Sequence, residues 1–198
     1  MPLPATALGH AQARCGACVA NPPPLDRCIA ALDHAFPWDG LLRRFKFEQA
    51  LELRGALADR LAQALSAAQA DHPAALPDLI LPVPLSRERL RERGYNQSLE
   101  IARVLGRRLG VRAPSRWLLR VREGAPQTAL ALDPDVRRRN VRGAFAVEPH
   151  HLDRIQGRHF ALVDDVMTSG ATLMELARVL RHAGAARVQA WVVARTPE

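Results

Sequence analysis

Ala161-Leu162-Val163-Asp164-Asp165-Val166-Met167-Thr168-Ser169-Gly170-Ala171-Thr172 is the stretch that decides the fold of this chain. An apolar run from Phe160 to Val163 ends in two acids. A turn of small, hydroxyl- and glycine-bearing residues then opens a helix expected over Thr172 to Ala183, and a second apolar strand is expected at Val188 to Val193. A helix between two largely apolar strands implies a parallel sheet covered on both faces, so the fold class is α/β. Ligands of such sheets bind beyond the carboxyl ends of the strands, where Asp164 and Asp165 stand. Carboxylates there accept hydrogen bonds from sugar hydroxyls. The small side chains from Thr168 to Thr172 let backbone N–H groups close on an anion at the positive end of the following helix. Two acids beside a phosphate cradle describe a pocket for a phosphorylated ribose. The plainer alternative is that the acids cap the helix and the turn is ordinary. A Walker loop is excluded because this stretch has no lysine, and a receiver domain because too little chain follows Asp164.

Outward from this unit, Leu79 to Val83 reads as a buried strand running into a loop stiffened by Pro84, and the arginine-dense Arg87 to Arg93 as a loop or short helix. Asn96 is placed to cap a helix over Ser98 to Leu109 that Gly110 ends. Leu53, Leu57, Leu61 and Leu65 recur four apart, so Leu41 to Ala70 reads as one amphipathic helix. A short strand is expected near Trp117 to Val121. From Arg122 to Arg142 the apolar period fails, as in a lid or a surface loop. His150, His151 and His159 read as solvated.

The chain has 198 residues, 48% hydrophobic and 24% charged, which excludes wholesale disorder. No run approaches the ~20 apolar residues of a membrane helix, and Met1-Pro2-Leu3-Pro4 lacks the features of a signal peptide, so a cytoplasmic protein without membrane insertion is expected. The net charge of +8 favours anionic partners, phosphates first. Lys46 is the single lysine, so nearly all the positive charge is guanidinium and lysine chemistry is not expected.

The stretch from Ala161 to Thr172 resembles the ribose-phosphate signature of type I phosphoribosyltransferases. Arg93-Gly94-Tyr95-Asn96-Gln97 after Pro82-Val83-Pro84, together with Gln127, Arg137, Asn140 and Gly143 to Phe145, resembles the ComF family. The resemblance implies a type I phosphoribosyltransferase-like parallel sheet flanked by helices over residues 29–198, with a lid near 122–142. It implies that Asp164 and Asp165 bind the ribose hydroxyls of phosphoribosyl pyrophosphate, and that the stretch through Val166, Met167, Thr168, Ser169, Gly170, Ala171 and Thr172 holds its 5′-phosphate. Leu85, Ser86 and Arg87 match the pyrophosphate loop, and Arg87 and Arg93 are candidates for neutralising the leaving group. Mg2+ is expected with the substrate, bridging pyrophosphate and ribose oxygens. Residues 1–28 resemble a degenerate zinc-ribbon-like segment. Cys15 and Cys18 match one pair of the family's ligands, and a Zn2+ site needs Cys28 with His10 or His34 to complete it; the alternative is idle thiols. The implied function is phosphoribosyl transfer to an acceptor the residues do not identify, linked to competence and DNA uptake. The competing expectation is a non-catalytic competence factor that binds single-stranded DNA and DNA-uptake proteins and keeps the pocket as sensor or scaffold. Self-association into a homo-oligomer stays open.

Overall fold

The computed structural model describes residues 22–71, 73–122 and 134–197. In chain order the elements are β1 (Arg27–Asp33), α1 (Trp38–Phe47), α2 (Leu53–Asp71), β2 (Leu79–Pro82), α3 (Arg87–Arg93), α4 (Gln97–Leu109), β3 (Leu118–Arg120), α5 (Pro134–Val141), β4 (Phe145–Val147), a 3-10 turn (Pro149–Arg154), β5 (His159–Met167), α6 (Ala171–His182) and β6 (Arg187–Arg195).

Four strands form one parallel sheet in the order β1-β6-β5-β2. β5 is an inner strand, paired with β2 on one side and β6 on the other, and its apolar residues alternate between two cores. Ala161 and Val163 pack with Ile80, Trp191 and Val193 under α1, α2 and α4, through Leu42, Phe45, Leu57, Leu61, Ile101 and Leu105. Phe160 and Leu162 pack on the opposite face with Leu81, Val188, Ala190 and Val192, under Leu173, Leu176 and Leu180 of α6. The expected α/β class is therefore the observed one, and both sheet faces are covered. β3 and β4 form a separate antiparallel pair, with Leu118 opposite Val147 and Arg120 opposite Phe145. Trp117, Phe145 and Val147 join the α6-side core.

Several expected boundaries shift. The helix expected over Leu41 to Ala70 is two helices, because Gln49 takes a left-handed conformation (φ 54) in the turn after α1. Leu42 of α1 and Leu57 and Leu61 of α2 nevertheless face the same core. β5 runs on to Met167, so both acids lie within the strand and not after it, with Asp164 opposite Val192 of β6. The irregular stretch contains a helix at Pro134–Val141. His159 is 8% exposed and not solvated, because it opens β5 where its N–H donates to the Asp78 carboxylate and its carbonyl accepts from the Asp78 N–H; His151 stacks on Trp117 at 4.4 Å. A domain boundary after residue 28 falls inside β1, which pairs with β6 from Arg27 onward, and Leu25 is already buried in the core.

Gly106 of α4 shows how closely the chain reverses after this helix. A Cβ there would lie 2.5 Å from the Val111 carbonyl oxygen, itself fixed where the Val111 N–H donates to Gly106 O. At Gly55 of α2 nothing lies within 4 Å of the same position. Gly106→Ala is predicted to destabilise by about 1–3 kcal/mol through forced backbone movement, whereas Gly55→Ala is predicted to stabilise by up to about 1 kcal/mol. Urea unfolding of the two variants should give shifts of opposite sign.

Candidate functional site

The site is built where β5, α1, α4 and the start of α6 meet. Asp165 follows Ala161 and Val163 in the strand alternation, so it faces the layer that holds α1. It is only 4% exposed. Its Oδ1 accepts from the Val166 N–H at 2.7 Å and lies 3.2 Å from the Lys46 ammonium at the end of α1. Its Oδ2 is buried without a hydrogen-bond partner. Asp164 remains partly accessible, and its Oδ1 accepts from the Ser98 hydroxyl and the Asp165 N–H, both at 2.9 Å. Desolvation and the adjacent Asp165 charge push the Asp164 carboxyl up to about 7, against the opposing pull of Lys46, Ser98 and the Asp165 N–H.

Beyond Met167 the chain turns at Thr168 and Ser169 and enters α6 through Gly170, whose φ of 72 is the left-handed conformation that glycine adopts without strain. α3 and α4 are capped by their own side chains, the Ser86 hydroxyl accepting from Arg89 N–H and the Asn96 carbonyl from Leu99 N–H. α6 has no side-chain cap. Its first N–H groups thus lack that partner and point with the helix dipole toward the end of β5 that carries the acids, an arrangement suited to a phosphate.

The stretch from Arg93 to Ser98 joins the site's parts. Tyr95 donates its hydroxyl hydrogen bond to the Phe45 carbonyl and tilts its ring against Phe45 at 5.8 Å. Asn96 Nδ2 donates to Val83 O at 3.0 Å, which ties this stretch to the loop after β2. Ser98 reaches Asp164 from the first turn of α4. Arg93 lies with its guanidinium 4.8 Å from the centre of the Phe47 ring. Burial lowers its pKa while Asp165, close enough to act on it, raises it.

Of the sequence-predicted residues, the structure brings together Asp164, Asp165, Arg93 and the turn through Val166, Met167, Thr168, Ser169, Gly170, Ala171 and Thr172. Leu85 and Ser86 stand in the loop after β2, but the Ser86 hydroxyl is engaged as the cap of α3, and Arg87 is exposed on that helix's first turn. Asn140 and the backbone of Arg137 belong to α5. Gly143, just after it, donates its N–H to buried Glu175 of α6 at 2.7 Å, and Arg178 grips the same carboxylate at 2.7 and 2.9 Å. Gln127, Cys15 and Cys18 lie outside the described residues. Cys28 sits on the edge strand β1, 3.7 Å from the Met167 sulfur, and among the described residues no group of three or more His, Cys, Asp and Glu is placed to hold a metal. Lys46 and Ser98 were missed by sequence reasoning. The one available signal was that Lys46 is the sole lysine in a chain with 28 basic residues.

Residues 96–198 match the phosphoribosyl transferase domain family. Over 98% of its length the chain is 38% identical to the DNA utilization protein YhgH of Escherichia coli (strain K12), spanning 82% of that protein. Over 91% of its length it is 34% identical to Competence protein F of Haemophilus influenzae, spanning 78% of it. Among solved structures it is similar to the glutamine phosphoribosylpyrophosphate amidotransferase from B. subtilis complexed with ADP and GMP. That similarity has a TM-score of 0.45 and 21% identity, and covers 72% of this chain and 26% of the other. Among the described residues no helix is long and apolar enough to cross a membrane.

The acid pair makes stability depend on pH. Asp164 titrates near 3.8 when unfolded and near 7 in the fold, so between these values the folded state binds more protons. Its contribution is therefore fullest below 3.8 and is lost as pH rises to about 7. Asp164→Asn removes the ionised form, and is predicted to exceed the parent in stability at pH 8 by about 1–4 kcal/mol, the gap closing toward pH 4. Urea unfolding at the two pH values measures it.

Proposed function

The chain belongs to the ComF family and carries that family's phosphoribosyltransferase domain, and from this we propose that the acid pair and the turn into α6 bind phosphoribosyl pyrophosphate with Mg2+ for transfer of its phosphoribosyl group. The observation that carries this is an acid pair and an uncapped helix N-terminus at the same end of β5.

Asp165 Oδ2, buried and without a partner, is the natural acceptor for a ribose hydroxyl, and the partly accessible Asp164 takes a second. The N–H groups opening α6, with the hydroxyls of Thr168, Ser169 and Thr172, hold the 5′-phosphate. Arg93, near Asp165, is better placed than exposed Arg87 to neutralise the departing pyrophosphate. The site's carboxylates are already engaged by Ser98, Lys46 and backbone N–H groups, so the donor set suits an ion carried by the substrate's own oxygens. Mg2+ supplies charge neutralisation on the pyrophosphate when bound. The protein's share is to fix the ribose, exclude water and stabilise the leaving group, with no covalent nucleophile.

A second proposal, contact with single-stranded DNA, draws on the net charge of +8 and on Phe36 and Phe47, which are 91% and 65% exposed, the latter beside Arg93. Exposed rings near guanidinium groups suit stacking on unpaired bases.

Calorimetric titration with phosphoribosyl pyrophosphate and Mg2+ is predicted to show saturable binding that Asp164→Asn/Asp165→Asn abolishes. Absence of binding, or equal binding by the variant, would overturn the pocket. An oligonucleotide titration at rising salt separates the DNA proposal: Phe36→Ala/Phe47→Ala should weaken a salt-sensitive affinity that the Asp variants leave intact.

A further inference from the structure

We propose that Lys46 is a positioning residue of this pocket, whose ammonium holds the Asp165 carboxylate by one oxygen, leaves the other to receive a ribose hydroxyl, and offsets the negative charge of the acid pair. This rests on the phosphoribose assignment above and deepens it.

The geometry assigns the role. Lys46 is 22% exposed at its side chain, and its Nζ stands 3.2 Å from Asp165 Oδ1, while Oδ2 of the same carboxylate is left without a protein partner. A guanidinium engages carboxylates as a fork and tends to cover both oxygens, whereas an ammonium is a compact point charge that can serve one. The chain uses arginine almost everywhere else it carries positive charge, and lysine here.

Its placement is enforced from both sides. Phe45 is fully buried in the core and its carbonyl is held by the Tyr95 hydroxyl, so the side chain of Lys46, in the last turn of α1, is directed at the acids. The groups acting on the pair are Lys46 from α1, Arg93 from the end of α3, Tyr95 from the turn between α3 and α4, Ser98 from α4, and the two acids from β5. Burial and mutual repulsion push the Asp164 carboxyl up toward neutrality, and Lys46 opposes this. Without the ammonium the Asp164 carboxyl holds its proton to higher pH, and a protonated carboxyl is a poorer acceptor for a ribose hydroxyl.

The test uses the full chain in the parent, Lys46→Met and Lys46→Arg forms, with circular dichroism confirming the fold of each. Carboxyl-carbon NMR of aspartate-labelled protein reads the pair directly, without ligand. Lys46→Met is expected to move the Asp164 titration up by about one pH unit, and Lys46→Arg to return it near the parent value. Calorimetry with phosphoribosyl pyrophosphate and Mg2+ at pH 7 is expected to show about fivefold weaker binding by Lys46→Met, recovering at pH 9. Lys46→Arg should keep the parent pH profile but bind more weakly at every pH, because its fork covers Oδ2. An unchanged carboxyl titration in Lys46→Met overturns the role of Lys46, whatever the ligand does. A shifted titration in a protein whose parent form does not bind phosphoribosyl pyrophosphate supports the electrostatic role and overturns the ribose pocket instead.

Discussion

Two carboxylates on consecutive residues of an interior strand repel one another and are stripped of water, and the local structure is organised to make that tolerable. Asp164 receives a hydroxyl and a backbone N–H; Asp165 receives a backbone N–H and an ammonium. The compensation is incomplete, for Asp165 Oδ2 has no partner and the Asp164 carboxyl stays well above its ordinary range. A fold selected for stability alone would place apolar residues here. An unmet acceptor at the end of a parallel strand is what a binding site for hydroxyl donors requires.

That constraint explains why one short stretch carries so many tethers. From Arg93 to Ser98, successive side chains reach the Phe47 ring, the Phe45 carbonyl, the Val83 carbonyl and the Asp164 carboxylate. These contacts fasten α1, the loop after β2 and β5 to the base of α4. The positions of Lys46 and of the β2 loop thus depend on this joint as much as on their own elements. On the other side of the sheet, Glu175 does comparable work by holding Gly143, where the chain leaves α5 for β4.

The fold class was legible because Phe160 to Val163 and, apart from Gln189, Val188 to Val193 are apolar on both faces, the pattern of strands in a covered parallel sheet. Asn96 and Gly110 were legible because caps are local chemistry, and both act as expected. The break near Gln49 was not, because no proline or glycine marks it. The full length of β5 was hidden for the opposite reason: two acids look like a strand's end, and only tertiary partners let them continue it. Within the site, Asp164, Asp165 and the turn could be read from sequence because they are contiguous. Lys46 and Ser98 reach the same carboxylates from far along the chain, and no spacing rule joins them to residues 164 and 165.

The central claim is that β5 and the start of α6 form one pocket for a ribose bearing a 5′-phosphate. Amide-resolved NMR during titration with ribose 5-phosphate tests it most directly, since this probe needs neither pyrophosphate, metal nor acceptor. The account predicts saturable shifts concentrated at the amides of residues 164–173, with Gly170 and Ala171 among the largest. Shifts confined to the arginine-rich surface away from α6, or none at saturating probe, would contradict it.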